Sequence, residues 1–159
     1  MQGNIYLDYE GIKGEVTAER YKDMITVDAL SFGVDRDISS ETGTSMDREA
    51  SATKMKAIQI SKLQDKASTD LLKEATIGKG KKAVFYITKQ GPEIEEIVKI
   101  ELSDAMVSSY NIVAAGDRPE ESLTISYTEL VMTVTPTDDT NVAAAPLVYG
   151  YSSMTGQQL

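Results

Sequence analysis

Apolar residues alternate with polar ones along much of this chain, but in three places the alternation slips by one residue inside a strand-length run. In residues 24–34 the apolar set begins as Ile25 and Val27 and continues as Leu30, Phe32 and Val34. Residues 122–135 move from Leu123, Ile125 and Tyr127 to Leu130, Met132 and Val134, and Met55 and Ala57 give way to Ile58 and Ile60. Strand side chains point to alternate faces, so a slip of one residue carries the apolar set to the other face. A bulge or bend that takes a strand from one sheet into another gives this pattern. A strand half buried on both faces gives it too. In either case both faces need covering, by this chain or by a neighbour.

The pattern predicts a mainly β chain with one short helix, in one domain spanning residues 1–159. Residues 4–9 form a first strand with Ile5, Leu7 and Tyr9 on one face, followed by a turn at Gly11-Ile12-Lys13-Gly14, whose glycines accept positive φ. Residues 24–34 form the second strand and residues 53–62 the third. Between them lies a long polar loop, residues 37–52, nearly free of large apolar side chains, with Met46 deep within it. Connections of that length are functional or disordered more often than not.

Residues 66–76 predict the helix, with Ser68 as N-cap, Asp70 in the first turn, Leu71, Leu72 and Ala75 as the apolar stripe, and Gly78 as the stop. Residues 83–89 and 95–109 pair as a hairpin through Gln90-Gly91-Pro92. Gly116-Asp117-Arg118-Pro119 is a further turn before the strand at 122–135. Residues 137–159 form a C-terminal segment with a last strand at 147–151.

Composition narrows the chemistry. With 159 residues the chain can bury roughly 70% of its unfolded surface without staples. It has no cysteine and no histidine, which removes disulfides, thiolate nucleophiles, the usual general base and ordinary zinc sites. No cofactor is expected. The net charge of −9 argues against nucleic acid. The charge is also segregated: residues 1–53 carry 11 acids and 5 bases, residues 54–99 carry 6 and 10, and residues 100–159 carry 8 and 1. Such segregation can bring copies of one chain together, positive patch to negative. The first residues have neither a basic nor an apolar signal region, and no apolar run approaches the ~20 residues that span a bilayer. The expectation is synthesis in the cytoplasm, no cleavable signal peptide and no stable membrane insertion.

Candidate catalytic groups are sparse. Gly78-Lys79-Gly80-Lys81-Lys82 looks like a phosphate cradle, but it follows a helix and lacks the Walker spacing. Thr137-Asp138-Asp139-Thr140-Asn141 offers calcium-friendly oxygens without the glycine and distal glutamate of an EF-hand. Asp104 and Glu129 are acids in apolar strand contexts, where a carboxylate commonly marks a bulge, an edge or an interface. The expectation is no enzyme, with no catalytic, cofactor or metal residues.

Several segments, in order, carry a resemblance: Gly11-Ile12-Lys13-Gly14-Glu15, Leu30-Ser31-Phe32-Gly33-Val34, Ile60-Ser61-Lys62-Leu63-Gln64-Asp65-Lys66-Ala67-Ser68, Val107-Ser108-Ser109-Tyr110, Arg118-Pro119-Glu120-Glu121-Ser122-Leu123, Thr135-Pro136 and Gly150-Tyr151. Together they resemble the haemolysin-coregulated protein (Hcp) family, the tube subunit of bacterial type VI secretion systems. The chain departs from that pattern at residues 37–52, often glycine-rich in the family and here holding Gly43 alone, and at the less glycine-rich turn before Arg118.

The resemblance implies two antiparallel sheets forming a barrel-like body flanked by a helix, assembled as a hexameric ring. It implies rings stacked in a tube that a contractile sheath propels behind a spike, a subunit that is itself secreted, and small effectors held in the lumen. A head-to-tail ring needs two different complementary surfaces on each copy. The long loop is the candidate for contact with an adjacent ring, through Ser40, Glu41, Thr42, Ser45, Met46, Asp47, Arg48 and Glu49. The competing reading is a monomeric barrel binding a small apolar ligand among Tyr6, Phe32, Phe85, Tyr86 and Tyr127.

Overall fold

The computed structural model describes residues 3–38, 53–91, 93–136 and 145–159. In chain order the elements are β1 (Gly3–Tyr9), a 3-10 turn (Glu19–Tyr21), β2 (Ile25–Val27), β3 (Ala29–Ser31), β4 (Val34–Asp35) and β5 (Lys54–Met55). They continue with β6 (Ile58–Leu63), α1 (Ser68–Ile77), β7 (Lys81–Gln90) and β8 (Ile94–Val113). The last are β9 (Glu120–Ser126), β10 (Glu129–Val134), β11 (Leu147–Ser152) and β12 (Gln157–Gln158).

All strand pairs are antiparallel, in two sheets that share β8 and a separate β4–β5 ribbon. The larger sheet runs β12-β11-β10-β8-β7-β1-β2, and the smaller runs β3-β6-β9-β8. The fold is the mainly β, two-sheet body that the sequence predicts.

Each phase slip marks a change of sheet. Ile25 and Val27 face the core from β2, paired with β1; after Asp28 the chain enters β3, which pairs with β6 in the smaller sheet. Leu123 and Ile125 are buried in β9 of the smaller sheet. After the break at Tyr127-Thr128, Leu130 is buried in β10 of the larger. Met55 lies in the ribbon, and Ile58 and Ile60 are buried in β6. The three long strands expected at 24–34, 53–62 and 122–135 are therefore seven shorter ones, since a strand cannot keep its ladder while changing partners.

β8 makes the same transition without breaking. It pairs with β7 and β10 over its first part and with β9 from Met106 to Val113. Three register shifts, at Ile87/Thr88, Lys81/Ala83 and Val107/Ser109 of its pairings, each leave the extra residue on β8. Bulges of this kind bend a strand and raise its twist, which lets one 20-residue strand serve both sheets. Asp104 sits at the middle shift with φ of 51°.

The core lies between the sheets, with Leu7, Tyr9, Ile25 and Phe85 from one side, Ile58, Leu123 and Ile125 from the other, and Leu71 from the helix. Tyr6 and Tyr21 form a second cluster on the far side of β1, their rings stacked at 4.6 Å with Tyr86 adjoining.

Local expectations fail in instructive ways at the helix. Its N-cap position is Ala67, with no side-chain cap; Ser68 is the first helical residue and its hydroxyl is used elsewhere. Leu72 is exposed, because the buried face is set by Leu71 and Glu74. Gly78 does end the helix, but in extended backbone. A Cβ there would lie 2.4 Å from the Glu74 carbonyl oxygen, so close approach and not handedness calls for glycine. The 3-10 turn and β12 were not anticipated by the alternation, being too short to carry a period.

The first turn needs both of its glycines for different reasons. Gly11 has φ of +82°, while a Cβ on Gly14 would stand 2.2 Å from the Met24 carbonyl oxygen, where the 14–24 backbone closes on itself through Gly14 N–H to Asp23 O at 2.8 Å. Gly14→Ala must push two backbone segments apart. It should lower unfolding free energy by about 1–3 kcal/mol in denaturant titration. An unchanged midpoint would show that the segment relaxes freely.

Candidate functional site

The feature that organises the functional surfaces is a buried charge cluster where the helix meets the smaller sheet. Lys62 and Glu121 face each other across the β6–β9 ladder, at positions where the alternation calls for apolar residues. Both are fully buried. The Lys62 ammonium donates to Glu121 Oε1 at 2.6 Å, Asp65 Oδ1 at 3.0 Å and the Leu63 carbonyl at 2.9 Å, using all three of its hydrogens. Glu121 also accepts from the Ser68 hydroxyl at 2.8 Å and from the Tyr110 phenol. Asp65 Oδ1 accepts the Ala67 N–H at 3.0 Å, which substitutes for a conventional cap. The cluster thus ties β6, β8, β9 and the helix start together.

Beside it, the β8–β9 hairpin end is fixed from outside. Arg118 Nε donates to the Gln64 carbonyl at 2.6 Å, and its guanidinium lies 3.8 Å from Glu15. Gly116 takes φ of +91° in the expected turn. Leu63, Ile112 and Val113 project from this end, between 41% and 65% exposed.

At the opposite end of the smaller sheet lies an apolar groove of about 350 Å³, walled by Phe32, Val34, Met55, Met132, Tyr149 and Tyr151, with Arg36 in its lining. Val34 and Tyr149 are about half exposed, at 49% and 54%. Tyr127 braces this end by donating its hydroxyl to the Lys56 carbonyl at 2.7 Å. The third surface is the outer face of the smaller sheet. Ala29, Ser31, Gln59, Asn111, Ser122 and Thr124 share it, a concave face with no charged side chain in its lining.

The candidate chemistry does not converge. Asp104 occupies the β8 bulge and accepts the Thr128 hydroxyl at 3.0 Å, and Glu129 lies in the ladder opposite Ser103 and Ser152. In the Gly78–Lys82 run, Lys81 is 2.6 Å from Glu74 Oε1, and the Lys82 N–H donates to Glu10. Burial, reinforced by the Glu74 carboxylate, pushes the Tyr9 phenol up to about 12, and burial likewise raises Tyr21, Tyr86 and Tyr127. These phenols are no bases at neutral pH. The segment Thr137–Asn141 and the loop residues Ser40, Glu41, Thr42, Ser45, Met46, Asp47, Arg48 and Glu49 lie outside the described residues. Among the described residues no group of acids is placed to hold a metal ion, and no helix is long and apolar enough to cross a membrane.

The aromatics of the competing ligand-barrel reading are dispersed. Phe85 is in the core, Tyr6 and Tyr86 are in the second cluster, and Phe32 is in the groove. That reading is not favoured.

A two-sheet body joined through a bulged strand, with one docked helix and uncovered apolar surface, defines a β-rich assembly subunit. The family described as "Type VI secretion system effector, Hcp" matches residues 6–134, and the chain belongs to that family, the tube protein of type VI secretion. Solved structures agree over the whole chain. A protein described as a type six secretion system protein aligns with TM-score 0.92 at 23% identity, covering 99% of this chain and 100% of its own. Hcp1 from Salmonella typhimurium aligns with TM-score 0.82 at 18% identity, covering 100% of both. Hcp1 from E. coli EAEC 042 pathovar aligns with TM-score 0.71 at 19% identity, covering 96% of this chain and 99% of its own. No curated protein matches in sequence. Membership implies oligomerisation and partners within type VI secretion, and the family is structural, not enzymatic.

The sequence reading missed the buried cluster, although its signal is present: Lys62 and Glu121 both sit at inward positions of apolar alternations. Lys62→Met leaves Glu121 buried without its counter-charge, and should cost about 3–5 kcal/mol in denaturant unfolding. The double variant Lys62→Met with Glu121→Leu should lose less than the single one. Equal losses would mean that packing, not charge, governs the site.

Proposed function

We propose that this chain, residues 1–159 as one Hcp-like unit, forms hexameric rings that stack into the inner tube of a type VI secretion system. A contractile sheath propels that tube behind its spike. The subunit is made in the cytoplasm and is itself secreted, and it performs no catalysis and uses no cofactor, nucleic acid or bilayer.

The observation that carries the reading is the uncharged outer face of the smaller sheet. In a chain with 26% charged residues, a face of hydroxyls, amides and a methyl is improbable as ordinary surface. Its concave part carries neither a charged nor a large exposed apolar side chain, and Glu120, Leu63 and Val113 bound it at one end. It suits a conduit wall past which polypeptides move, or on which small effectors rest, without being trapped.

Stacking is assigned to the loop at 37–52, through Ser40, Glu41, Thr42, Ser45, Met46, Asp47, Arg48 and Glu49. The support is its length, its polarity and the apolar Met46 set beside Asp47, Arg48 and Glu49. Negative-stain microscopy of the purified protein should show hexameric rings, joined into stacks at high concentration. Deleting residues 40–46 should leave single rings intact and abolish most stacks. Stacks as frequent as in the parent protein would remove the loop from ring-to-ring contact, and the absence of rings in the parent would remove the tube.

A further inference from the structure

The conduit face of the smaller sheet is built of cross-strand rows, and its rows are not alike. One holds Ala29, Ser61, Ser122 and Asn111, and the next holds Ser31, Gln59, Thr124 and Ser109. Beyond Ser61 and Ser122 the row changes character: Leu63 pairs with Glu120, and Glu120 with Val113. Leu63 is 41% exposed and Val113 65%, so the uncharged wall ends in a step of two aliphatic side chains with a carboxylate between them. Ile112 faces the other way, with Glu121. The opposite end of the face closes on Ser126 and Met106, without a charge.

The Glu120 carboxylate is uncommitted. Arg118, two residues before it, is held by Glu15 and the Gln64 carbonyl, and Lys62 is spent on the inner side with Glu121 and Asp65. Among the described residues Glu120 forms no ion pair. The row is also held in shape from beneath. Lys62 precedes Leu63 and Glu121 follows Glu120, so the buried pair fixes the register that sets the three side chains side by side. A surface already in its bound shape loses little ordering entropy when a partner arrives.

We infer that this row is the cargo seat of the ring: Leu63, Glu120 and Val113 take a polypeptide segment that presents aliphatic side chains beside a lysine or arginine. This inference rests on the ring reading above and gives its wall a place of attachment. Rows of hydroxyls and amides offer a passing chain little that water does not offer equally. The aliphatic step gains by leaving water, and carboxylates repeated around one lumen draw cationic groups into it. One row alone is a weak site. The rows of a hexamer face the same lumen and act on one cargo together, so weak contacts sum while each stays easy to break on release.

Binding of a short fluorescent peptide that alternates leucine with lysine, followed by anisotropy on assembled rings, tests the seat. The unsubstituted rings should bind it, and should bind analogues with serine for leucine or glutamate for lysine far more weakly. Leu63→Ser with Val113→Ser should weaken binding about tenfold, whereas Leu72→Ser, at an exposed aliphatic position on the helix, should leave it unchanged. Glu120→Lys should reverse the choice and make the leucine–glutamate peptide the better ligand, a reversal that no folding defect produces. Rings that bind no peptide, or variant rings that bind as the parent does, would overturn the seat while leaving the tube intact. Loss of rings or stacks in the Leu63→Ser, Val113→Ser protein would overturn it too, and give the row to contact between copies. Monomers without rings in the unsubstituted protein would bring down the seat and the tube reading together.

Discussion

The structure depends on one long strand serving two sheets. β8 carries an extra residue at each of three register shifts, pairs with β7 and β10 along its first half, and ends in the smaller sheet beside β9. Among the described residues the other changes of sheet break their strands: at Asp28, at Phe32-Gly33, at the entry to β6 and at Tyr127-Thr128. The bulges keep hydrogen bonding continuous through the bend, so the two sheets are fixed relative to each other by covalent chain and not only by side-chain packing. The core between them then needs only the docked helix to close one end. With Asp104 in left-handed backbone at the middle shift, a strand carboxylate that might have suggested chemistry is instead a mark of that bend.

Closure of the core does not close the surface. Strands that change sheets expose the faces they leave behind, and here those faces become the groove beside β4 and β5 and the projecting end of β8. The buried Lys62–Glu121 pair explains how the projecting end keeps its shape. Two charges in the interior need their full complement of partners, and Asp65, Ser68, Tyr110 and backbone groups supply them. A cluster of that kind tolerates few alternative arrangements, so it fixes the register of β6 against β9 and the approach of the helix together.

Much of this was legible in the sequence. Alternation placed most strands, and its slips marked where they change sheets. The hairpin through residue 91 and the glycine turns followed from residues with restricted or permissive backbone. The helix cap was not legible, because Ser68 satisfies the local rule for a cap while its hydroxyl is drawn into a long-range network with Glu121. Leu72 failed for a similar reason: a short helix docks by the face its tertiary partners select, and Glu74, paired with Lys81, took the place of an apolar residue. Of the surfaces, the groove is assembled from Phe32 and from β4, β5, β10 and β11, so no single stretch announces it. The uncharged face is spread over four strands and becomes visible only when they are side by side.

The central claim is that a single copy is incomplete and that sister copies cover what it leaves open. Sedimentation velocity of the purified protein over a wide dilution series tests it most directly. The account predicts one boundary at the mass of a hexamer, persisting until high dilution, with no stable intermediate between hexamer and monomer. A single boundary at the mass of one chain, at every concentration, would contradict it.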